Sequence, residues 1–87
     1  MKIFNKKFGE LLEMPVEVSR SPKITMLGFE EVIIENFKGI LEYEEFFIRI
    51  ATYIGNVIVN GFNMKLVQLN DEDIMVKGII ENISFEK

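Results

Sequence analysis

Apolar and polar residues alternate along most of the chain from residue 24 onward, as in "EVIIE", "FFIRIAT" and "NVIVNGF". Alternation with a period of two residues is typical of strands that bury one face. Single glycines and short polar stretches interrupt the pattern at intervals that suit turns. The pattern therefore predicts a mainly β fold: an antiparallel β-meander of about six to eight short strands that forms a roll or a sandwich-like structure.

Two-residue turns at four dipeptides bring most of the large apolar residues to one face of this sheet. Asn60-Gly61 is the strongest of the four signals, because Asn and Gly both tolerate the positive φ of a type I′ turn. We predict that Asn60, Gly61 and Gly39 form turns. The four predicted turns are Phe37-Lys38, which Gly39 follows, Glu44-Glu45, Gly55-Asn56 and Asn60-Gly61. The face that they assemble carries Val32, Ile34, Leu41, Tyr43, Phe46, Ile48, Ile50, Ile54, Val57, Val59, Phe62, Met64 and Leu66.

The opposite face of the predicted sheet is too apolar to be wholly solvated. One interpretation is that an N-terminal helix or the last strands cover it. The other is that it binds a partner, as larger exposed apolar patches usually do. For the second interpretation the candidate partner-binding residues are Phe47, Tyr53 and Ile58.

The first 23 residues follow a different pattern. Phe4, Phe8, Leu11 and Leu12 recur at helical spacing, which predicts a short amphipathic helix at about residues 3–13 that ends before Pro15. Residues 14–23 read as an extended linker, and the β region spans about residues 24–86. An 87-residue chain has room for one domain with this organisation.

A faint internal repeat relates "NVIVNGF" to "DIMVKGI", with Gly61 and Gly78 in corresponding positions. A fixed period can indicate a solenoid whose glycines mark corners. Hairpins are the preferred interpretation, because Asn60-Gly61 has a turn mechanism and two copies are too few for a stacked solenoid.

Charge and composition limit the function classes. Lys and Arg number 10 against 14 Asp and Glu, for a net charge of −4, and the basic residues form no stripe. Nucleic acid is therefore not an expected partner. The chain shows neither a signal peptide nor an apolar run long enough for direct membrane insertion, so the expected location is the cytoplasm.

Candidate chemistry is sparse. The chain has no His and no Cys, which removes the commonest general base, metal ligands and nucleophile. Asp71-Glu72-Asp73 reads as a solvated turn rather than a calcium loop, since the glycine and later glutamate of an EF-hand are missing. Glu42, Glu44 and Glu45 are interrupted by Tyr43 and read as a charged edge or turn. No catalytic residue, cofactor or metal site is predicted.

The order of the motifs "PKITMLG" (22–28) and "IENFKGI" (34–40), followed by "NVIVNGFNMKL" and "IMVKGIIENISFE", resembles the YabP/YqfC family of sporulation proteins, its YqfC branch most closely. The resemblance runs from about Leu11 to Glu86. It implies a protein made in the mother cell during endospore formation, with no catalytic residues. It also implies a protein partner, a membrane-associated sporulation protein of the YqfD type.

Two function classes follow from these observations. The first is a non-catalytic interaction or assembly module of the sporulation programme, in which exposed sheet edges and the second face bind a protein partner or a second copy of the chain as a homo-oligomer. The alternative is a small ligand-binding or carboxylate-dependent enzymatic domain, which only the acidic residues support. A concave pocket with two inward carboxylates would favour the alternative.

Overall fold

The computed structural model describes residues 20–87, and they form one six-stranded antiparallel sheet without a helix. This confirms the predicted β class and the antiparallel strands. The predicted helix at residues 3–13 and most of the predicted linker lie outside the described residues. The strands are β1 (Lys23–Leu27), β2 (Glu31–Glu35), β3 (Phe37–Glu44), β4 (Phe47–Thr52), β5 (Gly55–Gln68) and β6 (Asp73–Glu86).

The strand order is β1-β2-β6-β5-β4-β3, so the predicted meander is wrong at β2 and β3, which are not neighbours. β5 and β6 are 14 residues each and form a long hairpin that reaches both ends of the sheet. β6 pairs with β2 along Asp73–Lys77, whereas β5 pairs with β4 along Gly55–Asn60. One half of the sheet therefore contains β1, β2, the start of β6 and the end of β5. The other half contains β3, β4, the start of β5 and the end of β6.

The long hairpin bends where these halves meet. The β5–β6 register shifts after Asn60 and again after Phe62, and Asn63 adopts a positive φ of 52°. A Cβ on Gly61 would collide with the carbonyl oxygen of Ile79, and a Cβ on Gly78 would lie 2.7 Å from the Cα of Met64. The glycines of the internal repeat are therefore the positions where β5 and β6 approach too closely for any side chain.

The predicted turn at Asn60-Gly61 is wrong, since both residues lie inside β5. The glycine there meets the steric demand of the bend, and its φ is not positive. The predicted turn at Phe37-Lys38 is also wrong, and Gly39 forms no turn: all three residues lie in β3, with Gly39 opposite Ala51 beside a register shift. The chain leaves β2 at Asn36, whose φ is 64°.

The other two predicted hairpins exist, but their turns are displaced. Glu44 pairs with Phe47, so the β3–β4 turn is Glu45-Phe46, one residue later than predicted. Thr52 pairs with Gly55, so the β4–β5 turn is Tyr53-Ile54, two residues earlier than predicted. The Thr52 hydroxyl closes that turn by donating to the carbonyl oxygen of Gly55 (2.6 Å).

The core contains residues from both halves of the sheet in one cluster, so the two halves bury their apolar faces together. Seven residues of the predicted core face are buried there, which confirms that part of the prediction. Five others of that predicted face, Leu41, Tyr43, Phe46, Ile54 and Phe62, are exposed instead. The buried cluster is Val32, Ile34, Ile48, Ile50, Val57, Val59, Met64, Ile74, Val76 and Ile80.

Candidate interaction surfaces

Four large apolar residues along the bend are exposed to solvent. Phe29 is 81% exposed, Phe46 59%, Phe62 52% and Ile79 51%. A monomeric protein of this size seldom leaves several neighbouring aromatic residues in water, and such patches usually mark interaction sites. We call these four residues the bend patch.

Backbone contacts place the members of the bend patch side by side. The Gly61 amide, next to Phe62, donates to the carbonyl oxygen of Phe46 (3.2 Å). Phe62 and Ile79 are direct cross-strand partners, so their side chains emerge on the same side. The Ile80 amide, next to Ile79, donates to the carbonyl oxygen of Phe29 (2.9 Å). The patch thus runs from the β3–β4 turn across β5 and β6 to the β1–β2 turn.

Acidic residues flank the bend patch. Glu30 follows Phe29, Glu45 precedes Phe46 and Glu81 lies two residues after Ile79; all three are exposed. Within residues 20–87 none of these three carboxylates takes part in an ion pair. An apolar centre with an acidic rim suits a partner whose surface has apolar anchors and basic residues around them.

A cleft of about 590 Å³ lies beside the patch, between the end of β3 and the bend in β5. Tyr43 lines the cleft, and its hydroxyl oxygen accepts a hydrogen bond from the Leu66 amide (2.9 Å). The Met64 amide donates to the carbonyl oxygen of Glu45 (2.8 Å), which joins two of the lining residues. The cleft is lined by Tyr43, Glu44, Glu45, Asn63, Met64 and Lys65.

The three candidate partner-binding residues predicted from the sequence differ in how far their side chains are exposed to solvent. Ile58 is only 9% exposed, so its side chain is not available at the surface. Phe47 is half-buried, with the Arg49 guanidinium 5.2 Å from its ring centroid. Tyr53 is 40% exposed, and the Arg20 guanidinium stacks on its ring at 4.0 Å. A partner-binding role for Phe47 and Tyr53 stays a prediction.

A polar network lies on the same face as Ile58. Arg49, the cross-strand partner of Ile58, forms ion pairs with Glu42 and Glu86. The Asn56 side chain donates to the same Glu86 carboxylate (3.1 Å). The hydrogen bond from Asn56, together with the hydrogen bond and positive charge of Arg49, lowers the pKa of Glu86 below its ordinary value. The network ties β3, β4, β5 and β6 together across this face.

The acidic stretch Asp71–Asp73 lies at the β5–β6 turn. The Asn70 side-chain oxygen accepts the amides of Glu72 (2.8 Å) and Asp73 (2.9 Å), while the Asn70 side-chain nitrogen donates to the Asp73 carboxylate (2.8 Å). Asp73 also accepts the Asn36 amide (3.2 Å), which fixes the start of β3 against this turn. Among residues 20–87, no three Asp or Glu side chains are grouped closely enough to hold a metal ion.

Comparison with known proteins assigns the chain to a family. The model of the YabP family matches residues 19–87. The chain belongs to the YabP family. The resemblance predicted from its motifs is thereby confirmed at the family level.

A relative from Bacillus subtilis (strain 168), described as the uncharacterized protein YqfC, is 32% identical over 75 residues, covering 85% of this chain and 81% of the relative. No solved structure matches the chain. In the part of the chain that the structure describes, no helix has the length and apolar character needed to cross a membrane.

Sequence reasoning missed the bend patch. The alternation, continued through the predicted turns at Glu44-Glu45 and Asn60-Gly61, predicts Phe46 and Phe62 on the buried face, which is wrong. The available signal was the concentration of aromatic residues beside glycines and turns, as in "NGF", "LGF" and "EEFF". A large side chain next to a turn often has too few neighbours to bury it.

Proposed function

We propose that this YabP-family protein is a non-catalytic sporulation protein that acts as an interaction module during endospore formation in the cytoplasm of the mother cell. The observation that carries the proposal is the bend patch, in which Phe29, Phe46, Phe62 and Ile79 are all more than half exposed. Aromatic residues of this kind dominate the binding energy of protein interfaces, because they bury a large area with few rotatable bonds.

The proposed partner is a membrane-associated sporulation protein of the YqfD type. Support for a protein partner comes from the chemistry of the patch, whose apolar centre and acidic rim suit a basic, partly apolar protein surface. The family resemblance supports the choice of partner. Binding through the patch would bring the chain to the membrane surface without insertion of its own residues.

Co-purification from sporulating cells tests the proposal. A tagged copy of the chain is expressed in sporulating cells of its native organism. The detergent-solubilised membrane fraction is then passed over an affinity resin that binds the tag. We expect the YqfD-type protein in the eluate.

A matched pair of variants makes the test specific. Phe46 and Ile54 each occupy the second position of a two-residue turn at one end of β4, and they are 59% and 61% exposed. Phe46→Asp places a charge in the bend patch, whereas Ile54→Asp places the same charge outside it. The proposal expects Phe46→Asp to lose the partner and Ile54→Asp to keep it. Equal recovery of the partner by both variants would contradict it.

The cleft favours a second candidate function, a small ligand-binding or carboxylate-dependent enzymatic domain. Glu44, Glu45 and Lys65 line a concave volume large enough for a small molecule. Against it, the Tyr43 hydroxyl is already engaged by the Leu66 amide, and Glu44 and Glu45 are exposed to solvent. A metabolite that raises the melting temperature of the wild type, but not that of a Glu44→Gln, Glu45→Gln double variant, would favour this candidate.

A further inference from the structure

Four strand segments lie at edges of the sheet, because the other described residues pair with each of them on one side only. They are β1, β3, the end of β5 and the end of β6. An unprotected edge is a template for pairing with another strand, and proteins protect their edges with charges, bulges or covering groups. The four edges differ in how well they are protected.

Two of the edges carry charges. β3 contains Glu42 and Glu44, and two register shifts interrupt its pairing with β4, so it offers no straight template. The end of β6 contains Glu81 and Glu86, and Glu86 is held by Arg49. Both segments are poor candidates for addition of a further strand.

The end of β5 is covered by the neighbouring hairpin. Its amides at Met64 and Leu66 donate to the Glu45 carbonyl oxygen and to the Tyr43 hydroxyl oxygen. A strand from another molecule would have to break these hydrogen bonds to pair here.

β1 carries the weakest protection of the four edges. Its sequence is KITML, with a single charge at Lys23. Met26 is 41% exposed and Leu27 45% exposed, although both belong to a regular strand that pairs with β2. Apolar side chains therefore stand at an edge where the described residues supply no covering group.

The sequence of β1 is complementary to itself. When two β1 strands pair antiparallel about Thr25, Lys23 lies opposite Leu27, Ile24 opposite Met26, and Thr25 opposite Thr25 of the second copy. No like charges face each other, and threonine pairs are favourable cross-strand neighbours. A two-fold symmetric contact of this kind closes on itself and does not propagate into a fibre.

This register also joins the two cores. Ile24 pairs with Ile34 and Met26 pairs with Val32 on the face that points into the core, and both partners in β2 are fully buried. In the dimer each Ile24 would lie opposite Met26 of the second copy, so an unbroken apolar row would cross the interface. The exposed part of Met26 would be covered by another apolar side chain.

The outer face of this register carries charges of both signs, and no like charges oppose each other. Lys23 pairs with Glu35, and Leu27 pairs with Glu31, which forms an ion pair with Lys77. Across the symmetric junction, Lys23 of one copy would lie opposite Leu27 of the other copy, one strand away from Glu31 of that copy. We propose that β1 is a homodimerisation edge, at which two copies pair antiparallel about Thr25 into one continuous twelve-stranded sheet. The dimer is separate from docking on the bend patch, and either can fail without the other.

A single cysteine tests the register directly, since the chain has none of its own. Across an antiparallel pair the Cα atoms of opposed residues lie about 4.5–5.5 Å apart, within the range that a disulfide can bridge. The full-length Thr25→Cys variant should therefore form a disulfide-linked dimer under mild oxidation, at least about tenfold faster than a Val67→Cys variant, because pairing raises the effective concentration of the thiols.

A charge variant tests the apolar row. Met26 and Val67 are both 41% exposed, so Met26→Lys and Val67→Lys introduce the same charge at matched exposure. In sedimentation equilibrium the wild type and Val67→Lys should reach the dimer mass as concentration rises. Met26→Lys should weaken dimerisation by at least about tenfold while it retains a cooperative melt.

Two results would overturn the proposal. The first is a wild type that stays monomeric at all concentrations; if the β1 amides that do not bond to β2 are then protected from hydrogen exchange, the edge would be assigned to residues 1–19 of the same chain. The second is Val67→Cys cross-linking as fast as Thr25→Cys. If Met26→Lys fails to fold, the comparison of Thr25→Cys with Val67→Cys decides alone.

Discussion

At the residue scale, steric exclusion at the bend explains why glycine occupies two corresponding positions of the internal repeat. The carbonyl oxygen of Ile79 occupies the space of a Cβ at Gly61, and the backbone of Met64 occupies the space at Gly78. Gly78 also has a φ of 146°, which other residues rarely adopt. A side chain at either position would force the two strands apart.

Replacement of Gly61 by alanine measures this exclusion. Gly61→Ala should destabilise the fold by about 3 kcal/mol or more, because backbone atoms must move to admit the methyl group. Gly39→Ala is the matched control: Gly39 also lies in a strand, but nothing stands within 4 Å of its Cβ position. The control should change the free energy of unfolding by about 1 kcal/mol or less. Equal urea midpoints for the two variants would contradict the close approach of β5 and β6.

The Glu86 carboxylate makes the stabilising effect of the polar network depend on pH. Because Asn56 and Arg49 lower its pKa in the folded state, Glu86 stabilises the fold at pH values above its ordinary pKa, and this contribution is lost as pH falls through the folded pKa. Glu86→Gln should therefore lose less stability than the wild type between pH 7 and pH 3 in thermal melts.

Glu81→Gln is the control for that comparison, since Glu81 forms no ion pair within residues 20–87. Its pH dependence should be closer to that of the wild type. An acid transition of Glu86→Gln that coincides with that of the wild type would show that the network adds nothing to folding.

At the element scale, the β5–β6 hairpin shows why some structure could be predicted from sequence and some could not. The apolar pattern shifts by one residue between Val59 and Met64, and this shift is real. A two-residue turn and a bulged bend both produce such a shift, so the pattern predicts Met64 in the core correctly although the predicted turn is wrong. Local pattern cannot distinguish the two, because the choice depends on β6, which follows later in the chain.

The same limit applies to strand order and to the surface. β2 pairs with β6 although the paired residues, from Glu35–Asp73 to Glu31–Lys77, are 38 to 46 positions apart in the sequence. No turn signal predicts a pairing over such a distance. The β4–β5 turn lies two residues earlier than predicted, and a shift of two residues leaves each side chain on the same face of the sheet. The prediction that Ile48, Ile50 and Val57 are buried is therefore correct despite the wrong register. The local pattern does not predict the exposure of Phe62, because that exposure depends on the bend in the β5–β6 hairpin.

The turn that joins β5 to β6 depends on one side chain. Asn70→Ala removes the oxygen that accepts the amides of Glu72 and Asp73, and it should cost about 1 kcal/mol of stability. Asp71→Ala alters the neighbouring residue of the same turn and should have a smaller effect. A loss for Asp71→Ala that equals or exceeds the loss for Asn70→Ala in chemical denaturation would contradict this account of the turn.

At the scale of the whole molecule, residues 20–87 expose an apolar patch and an open cleft. Its bent hairpin places two turns and two strands side by side, so that apolar residues from four elements meet at the bend. The acidic rim gives the surroundings of that patch a negative charge. β1 is a separate edge of the sheet. These features together suit a small protein that joins other proteins, which is the role we propose for it.

The most direct test of that role is the affinity of the purified chain for the soluble part of the YqfD-type protein, measured by titration calorimetry. The account predicts saturable binding that Phe46→Asp weakens by at least about tenfold and Ile54→Asp leaves within about twofold, with both variants folded. Equal binding by wild type and Phe46→Asp, or no binding by the folded wild type, would contradict the assignment of the bend patch as the partner-binding surface.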